Sequence, residues 1–285
     1  GDELVALIKR VFQPREDDKG VAILVDLPDT RVPDNADWAA RREIAVGWLR
    51  ELSAHRSALA MSPTLAVYRN AHTNNGELPD RCWIYRDGDL PRTAEELDPA
   101  ASISFAELFA GNSILLVPTQ FSATAPLKMA AKKCPIRAAT MGGFCEGMIP
   151  ALRLDYTEVN RRVNYLKEKL DRATGADFRF GYPGGEAVLH LDLRFREAHA
   201  SGGLLPNPGT AGNLPSGEAY IVPFEGETEP SRSAGVLPVQ FGSEVVLYRI
   251  EGNKAVEVLT EGVTSRSEAE RLAREPAYGN MAELG

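Results

Sequence analysis

The chain has 285 residues, 44% of them apolar and 25% charged, with 25 glycines and 19 prolines, the composition of a folded globular protein rather than a disordered, collagenous or coiled-coil one. Its formal charge of −8 argues against nucleic acid and anionic membranes as partners, and its longest apolar runs, such as Ile114 to Val117, fall far short of a membrane span. Three widely spaced cysteines, Cys82, Cys134 and Cys145, fit a reducing compartment better than a disulfide framework. With no basic and apolar leader at Gly1, the expectation is a cytoplasmic protein.

The first predicted element is a helix carrying Leu4, Val5, Leu7, Ile8, Val11 and Phe12, followed by the continuous apolar run Val21 to Val25, a buried strand. Helical spacing of Trp38, Ile44, Trp48, Leu49 and Leu52 predicts a helix between Asp37 and Met61, and Leu65 to Tyr68 reads as the next strand. Ser104 and Glu107 stand at capping-box spacing, so a helix begins there and ends at Gly111, ahead of the strand Ile114 to Val117. A helix from Ala125 to Lys133 and a strand from Ile136 to Thr140 continue the alternation. Strands separated by helices call for crossover connections, so residues 1–150 are expected to form a doubly wound α/β domain.

After Pro150 the pattern changes. Asp155 caps an amphipathic linker helix reaching Ala173, with Val159, Val163, Leu166 and Leu170 on one face. From Phe178 the period becomes two, with Val188, His190, Asp192, Arg194 and Arg196 alternating against Leu189, Leu191, Leu193 and Phe195. Val245 to Ile250 and Ala255 to Leu259 form a hairpin around Glu251-Gly252-Asn253-Lys254, and Ser267 to Arg274 a short helix. Residues 151–285 are thus read as a β-rich α+β domain.

Three places carry chemistry. His190 and Asp192, with His199 nearby, could form a facial metal triad, but Arg194 and Arg196 continue the same strand face and favour a polar surface held by arginine or solvent. Gly142-Gly143 between a strand and a helix could meet an anion, although a tight turn explains it, and Cys145 is read as a small buried residue without a base. The Gly- and Pro-shaped loop Gly212 to Gly217 delivers one carboxylate, Glu218, at the mouth of the strand Ala219 to Val222.

Asn213-Leu214-Pro215-Ser216-Gly217-Glu218-Ala219-Tyr220-Ile221-Val222-Pro223 resembles a segment of the aminopeptidase T family of thermophilic-type metallo-aminopeptidases. Arg137-Ala138-Ala139-Thr140-Met141-Gly142-Gly143 with Asp155-Tyr156, and Gly279 to Gly285 around Glu283, resemble two further motifs, so the likeness covers about residues 100–285. The resemblance implies a thermophilic metalloprotease-like fold, a homodimer, and a hydrolase that removes N-terminal residues from a peptide substrate. It also implies two divalent metal ions (Zn, Co, Mn or Mg), with Glu218 and Glu283 as metal ligands. The family's remaining ligands, a His, a Tyr and a His-x-Asp pair, lie downstream of the second glutamate, so the chain is expected to be cut short. The same superfamily resemblance extends to Fe(II)-dependent ring-cleaving dioxygenases acting on dihydroxypyridines, and a catalytically inactive relative that binds peptides or partners is the remaining alternative.

Overall fold

The computed structural model of the protein describes residues 2–86 and 90–285. Its elements in chain order begin with α1 (Asp2–Phe12), β1 (Gly20–Leu27), α2 (Ala36–Ala54), α3 (Arg56–Leu59), β2 (Ser62–Arg69), β3 (Arg81–Tyr85) and β4 (Ile103–Ser104). Next come α4 (Phe105–Gly111), β5 (Ile114–Thr119), α5 (Thr124–Ala131), β6 (Arg137–Gly142), α6 (Tyr156–Arg172), β7 (Gly175–Tyr182) and β8 (Gly185–Asp192). The remainder are β9 (His199–Ser201), β10 (Thr210–Asn213), β11 (Glu218–Tyr220), β12 (Ala234–Phe241), β13 (Glu244–Glu251), β14 (Lys254–Val258) and α7 (Val263–Arg274). Two compact units divide the chain: one runs to Asn160 and takes back Ser201–Gly217, the other holds Arg161–Ala200 and Glu218–Gly285. Among the described residues no helix is long and apolar enough to cross a membrane.

The first unit is built on a seven-stranded sheet of order β10-β6-β5-β1-β2-β3-β4. The four apolar runs read from the sequence become its parallel centre, β6, β5, β1 and β2. Strand β1 is buried at every position because both faces of the sheet are covered. Val21, Ile23 and Val25 pack with α1 and α2 residues such as Ile8, Phe12 and Leu52, while Ala22 and Leu24 pack with Phe105, Leu108 and Leu127 of α4 and α5. Local signals agree with that packing. Asp2 and Glu3 open α1 and Lys9 and Arg10 close it, matching its dipole. Asn35 caps α2 by accepting from the Trp38 N–H, and the Ser104–Glu107 box is formed reciprocally. The helix expected to reach Met61 instead ends at Ala54, since the chain makes one more short turn and then enters the left-handed region at Ala60, φ 53°.

Three strands of this sheet escape the sequence pattern. Strands β3 and β4 add antiparallel pairs beyond β2, and β10, expected to belong to the β-rich half, lies parallel to β6 with Thr210 opposite Arg137. Thr210-Ala211-Gly212-Asn213 has no hydrophobic alternation, so only long-range pairing defines it as a strand.

In the second unit five antiparallel strands run in the order β14-β13-β12-β8-β7. Alternate residues Leu189, Leu191, Val246, Tyr248 and Ile250 form its core. The period-two run was expected to continue through Arg196, but the strand stops at Asp192. There the carboxylate accepts from the Arg194 and Arg232 N–H groups, and Phe195 turns left-handed at φ 62°.

Candidate functional site

Strand β11 begins at Glu218 and pairs with β9, which brings His199 beside Tyr220 with ring centroids 5.1 Å apart. Ile221 then exchanges both backbone hydrogen bonds with Leu284, at 2.8 and 2.9 Å. That bridge carries Glu283 to the strand that Glu218 opens. Both carboxylates are exposed, and both act on Tyr220: its phenol is raised above the ordinary range first by burial, then by the charges of Glu283 and Glu218. The result is a half-buried phenol that stays protonated at neutral pH, with the charges of two carboxylates acting on it and an imidazole beside its ring. The sequence motif pointed to Glu218 and Glu283. His199 joins them only because β9 and β11 pair across a Gly- and Pro-rich loop, a contact with no local signature.

The other sequence candidates are placed differently. His190 Nδ1 lies 2.7 Å from the Asp177 carboxylate on β7, while Asp192, fully buried, takes two bonds from the Arg194 guanidinium at 2.9 and 2.7 Å. That pairing, with two N–H donors, holds Asp192 well below the usual carboxylate range. Gly142-Gly143 is a tight turn. Gly143 has φ +67° and donates to Thr119 O at 2.7 Å, and a Cβ on Gly142 would sit 2.8 Å from the Ser122 backbone. The following segment Glu146–Arg153 is a 3₁₀ helix containing Pro150. Cys145 was expected to be buried but is exposed, at the N-cap of that segment in extended backbone outside the packed sheet strands.

A polar centre that the sequence reading missed lies at the carboxyl ends of β1 and β5, where the order of a parallel sheet reverses and ligand crevices commonly form. Asp26, 1% exposed, accepts from Gln120 N at 2.7 Å, Phe121 N at 3.0 Å and Trp38 Nε1 at 3.1 Å. Arg41, 3% exposed, donates to Gln120 Oε1 at 2.8 Å and Phe144 O at 2.6 Å. Burial outweighs those donors and the nearby Arg41 charge, and the Asp26 pKa is pushed up to about 6. Every polar atom of Asp26 is used, so the arrangement ties together the loops after β1, β5 and β6. A charged residue inside the apolar run Val21 to Leu27 was its one visible signal. Beside it, His72 Nε2 meets Asp29 at 2.6 Å.

A metal centre needs three or more converging ligands. Among the described residues no group of three His, Cys, Asp or Glu side chains could hold a metal ion, so Glu218, Glu283 and His199 do not by themselves fit one.

No protein-family model and no curated protein matches the sequence. Among solved structures the chain resembles 2,5-dihydroxypyridine dioxygenase from Pseudomonas putida KT2440, with a TM-score of 0.60 and 18% identity, covering 97% of this chain and 72% of that one. At that identity the likeness establishes a shared mixed α/β fold. It also overturns the expected membership of the aminopeptidase T family, and with it the reading as a hydrolase or metalloprotease that rested on three short motifs. Two ions of Zn, Co, Mn or Mg were implied by that resemblance and are left without support. The physical reason is that the motif residues meet backbone requirements: Asn213 ends β10, Leu214 to Gly217 make the turn, and Glu218 starts β11.

Proposed function

We propose that this protein is a ring-cleaving dioxygenase acting on a hydroxylated pyridine ring, with ferrous iron as the metal that this reading calls for. The observation that supports it is the fold shared with the dihydroxypyridine dioxygenase along nearly the whole of this chain. Within the second unit, Glu218 and Glu283 are acceptors for two ring hydroxyls, and the protonated Tyr220 phenol is a donor for a ring nitrogen. On this reading the first unit is a doubly wound α/β domain and the second a β-rich one, and the carboxylates orient the ring without forming a complete metal centre on their own.

The test is oxygen uptake by the ferrous-loaded chain with 2,5-dihydroxypyridine, followed together with loss of the ring's ultraviolet absorbance. Uptake that depends on the ring and falls at least tenfold in Glu218→Ala or Glu283→Ala supports the assignment. A folded chain that neither takes up iron nor consumes oxygen with the ring overturns it. Binding of the ring without turnover would mark a relative that holds the ring without cleaving it.

A further inference from the structure

Helices α1 and α2 and the 3₁₀ segment Glu146–Arg153, all in the first unit, line a half-open cavity of about 250 Å³ that plays no part in the reading above. Its walls are apolar, formed by Leu4, Leu7, Trp48, Ile149 and Leu152, and the Trp48 ring is backed by Phe144 with centroids 5.6 Å apart. Four charged residues, Glu3, Arg10, Glu51 and Arg153, line it as well. Arg10 reaches the cavity from the last turn of α1, half-buried, and its Nη2 donates to Leu152 O at 2.8 Å. Its Nε is buried without a hydrogen-bond partner, and the guanidinium makes no ion pair among the described residues. The acids at the same cavity are otherwise engaged, Glu3 with Arg153 at 3.1 Å and Glu51 with an interaction of its own.

A guanidinium has five donors and a permanent charge, and half-buried cations are ordinarily paired. One left without a carboxylate at the rim of an apolar, tryptophan-walled cavity is complementary to an anion with a hydrophobic body. We propose that this cavity binds a small monocarboxylate with an aromatic or aliphatic tail, its carboxylate on Arg10 and its tail against Leu4, Leu7, Trp48 and Leu152. The volume admits on the order of ten non-hydrogen atoms. The carboxylate requirement follows from charge: a neutral analogue of the same shape fills the walls and leaves the guanidinium unpaired.

The experiment titrates the whole chain with phenylacetate and with phenylacetamide, by calorimetry and by the indole N–H signal of Trp48, assigned with Trp48→Phe. Phenylacetate should bind about 10–100-fold more tightly than the amide and shift the Trp48 signal rather than those of Trp38 and Trp83. Arg10→Gln should abolish that preference and Arg10→Lys should retain part of it. Ala6, exposed on α1 one helical turn before Arg10, gives a second test, because Ala6→Phe fills space at the cavity while the guanidinium is kept, and should weaken phenylacetate at least tenfold. Equal affinity for acid and amide, an unmoved Trp48 signal, or undiminished binding to Ala6→Phe would each overturn the proposal.

Discussion

Asp26→Asn should change how the stability of the first unit depends on pH. The wild-type carboxyl titrates at about 6 in the folded protein against 3.8 when unfolded, because burial outweighs three N–H donors and Arg41. Below the unfolded value both states hold the proton and the group contributes nothing. Between the two values the folded state binds the proton more strongly, so stability falls as pH rises, reaching a plateau penalty of about 3 kcal/mol at ~1.36 kcal/mol per unit. From about pH 4 to about pH 7 the wild type should therefore lose about 2.4 kcal/mol relative to the variant, which carries no titratable group there. Asparagine also presents an N–H where Phe121 N donates at 3.0 Å, a fixed cost of about 1–3 kcal/mol that offsets the curve without tilting it. The assay is urea unfolding of both proteins across that range, followed by tryptophan fluorescence. All three tryptophans, Trp38, Trp48 and Trp83, lie in the first unit, so the signal reports that unit. Taking the difference removes the acid sensitivity of other carboxylates. A difference constant to within about 0.5 kcal/mol would refute the reasoning and mean that the donors and Arg41 keep Asp26 ionised at little cost.

Arg137, fully buried on β6, pairs with Asp18 and donates to Phe12 O, so Arg137→Met should cost about 3–5 kcal/mol by stranding the acid, while pairing it with Asp18→Leu should recover part of that in a denaturant cycle. Glu244 reaches from β13 to the first turn of α7, accepting from Thr264 N at 3.0 Å and Ser265 N at 2.8 Å, where Gly262 offers no side-chain cap. The Ser265 hydroxyl first, and then those N–H donors, hold its pKa down at about 2, so its contribution is present above 4.5 and fades as pH falls through about 2. Glu244→Ala should speed amide exchange at Thr264 and Ser265 selectively. Removing Glu218 and Glu283 together should lower the Tyr220 phenol titration followed by ultraviolet difference spectra; an unchanged curve would mean that burial alone sets it.

What was legible in the chain divides along the range of the interactions. The four parallel strands at the centre of the first sheet could be read because helices cover both faces, and burial on both sides turns a strand into an unbroken apolar run. The Ser104–Glu107 box could be read because its two partners are three residues apart. Strand β10 and the β9–β11 pair could not, since Thr210 finds Arg137 and His199 finds Tyr220 only once the intervening chain has folded. The end of β8 was misplaced for a related reason. Alternation continues past Asp192 on paper, but the carboxylate's bonds to Arg194 and Arg232, the latter 40 residues away, close the strand there.

The same distinction explains why the segment Asn213 to Pro223 misled about chemistry while locating a real structural junction. Its asparagine, prolines and glycine meet the demands of leaving β10, turning, and starting β11, the point at which the chain passes from one compact unit to the other. Such demands recur wherever that backbone path recurs, whatever reaction the protein performs. On the proposed reading the chemistry depends instead on what reaches the Glu218 strand from elsewhere: His199 through strand pairing and Glu283 through the Ile221–Leu284 bridge. A motif of this kind therefore carries fold information to a distant relative and carries function only when the side chains that converge on it are also shared.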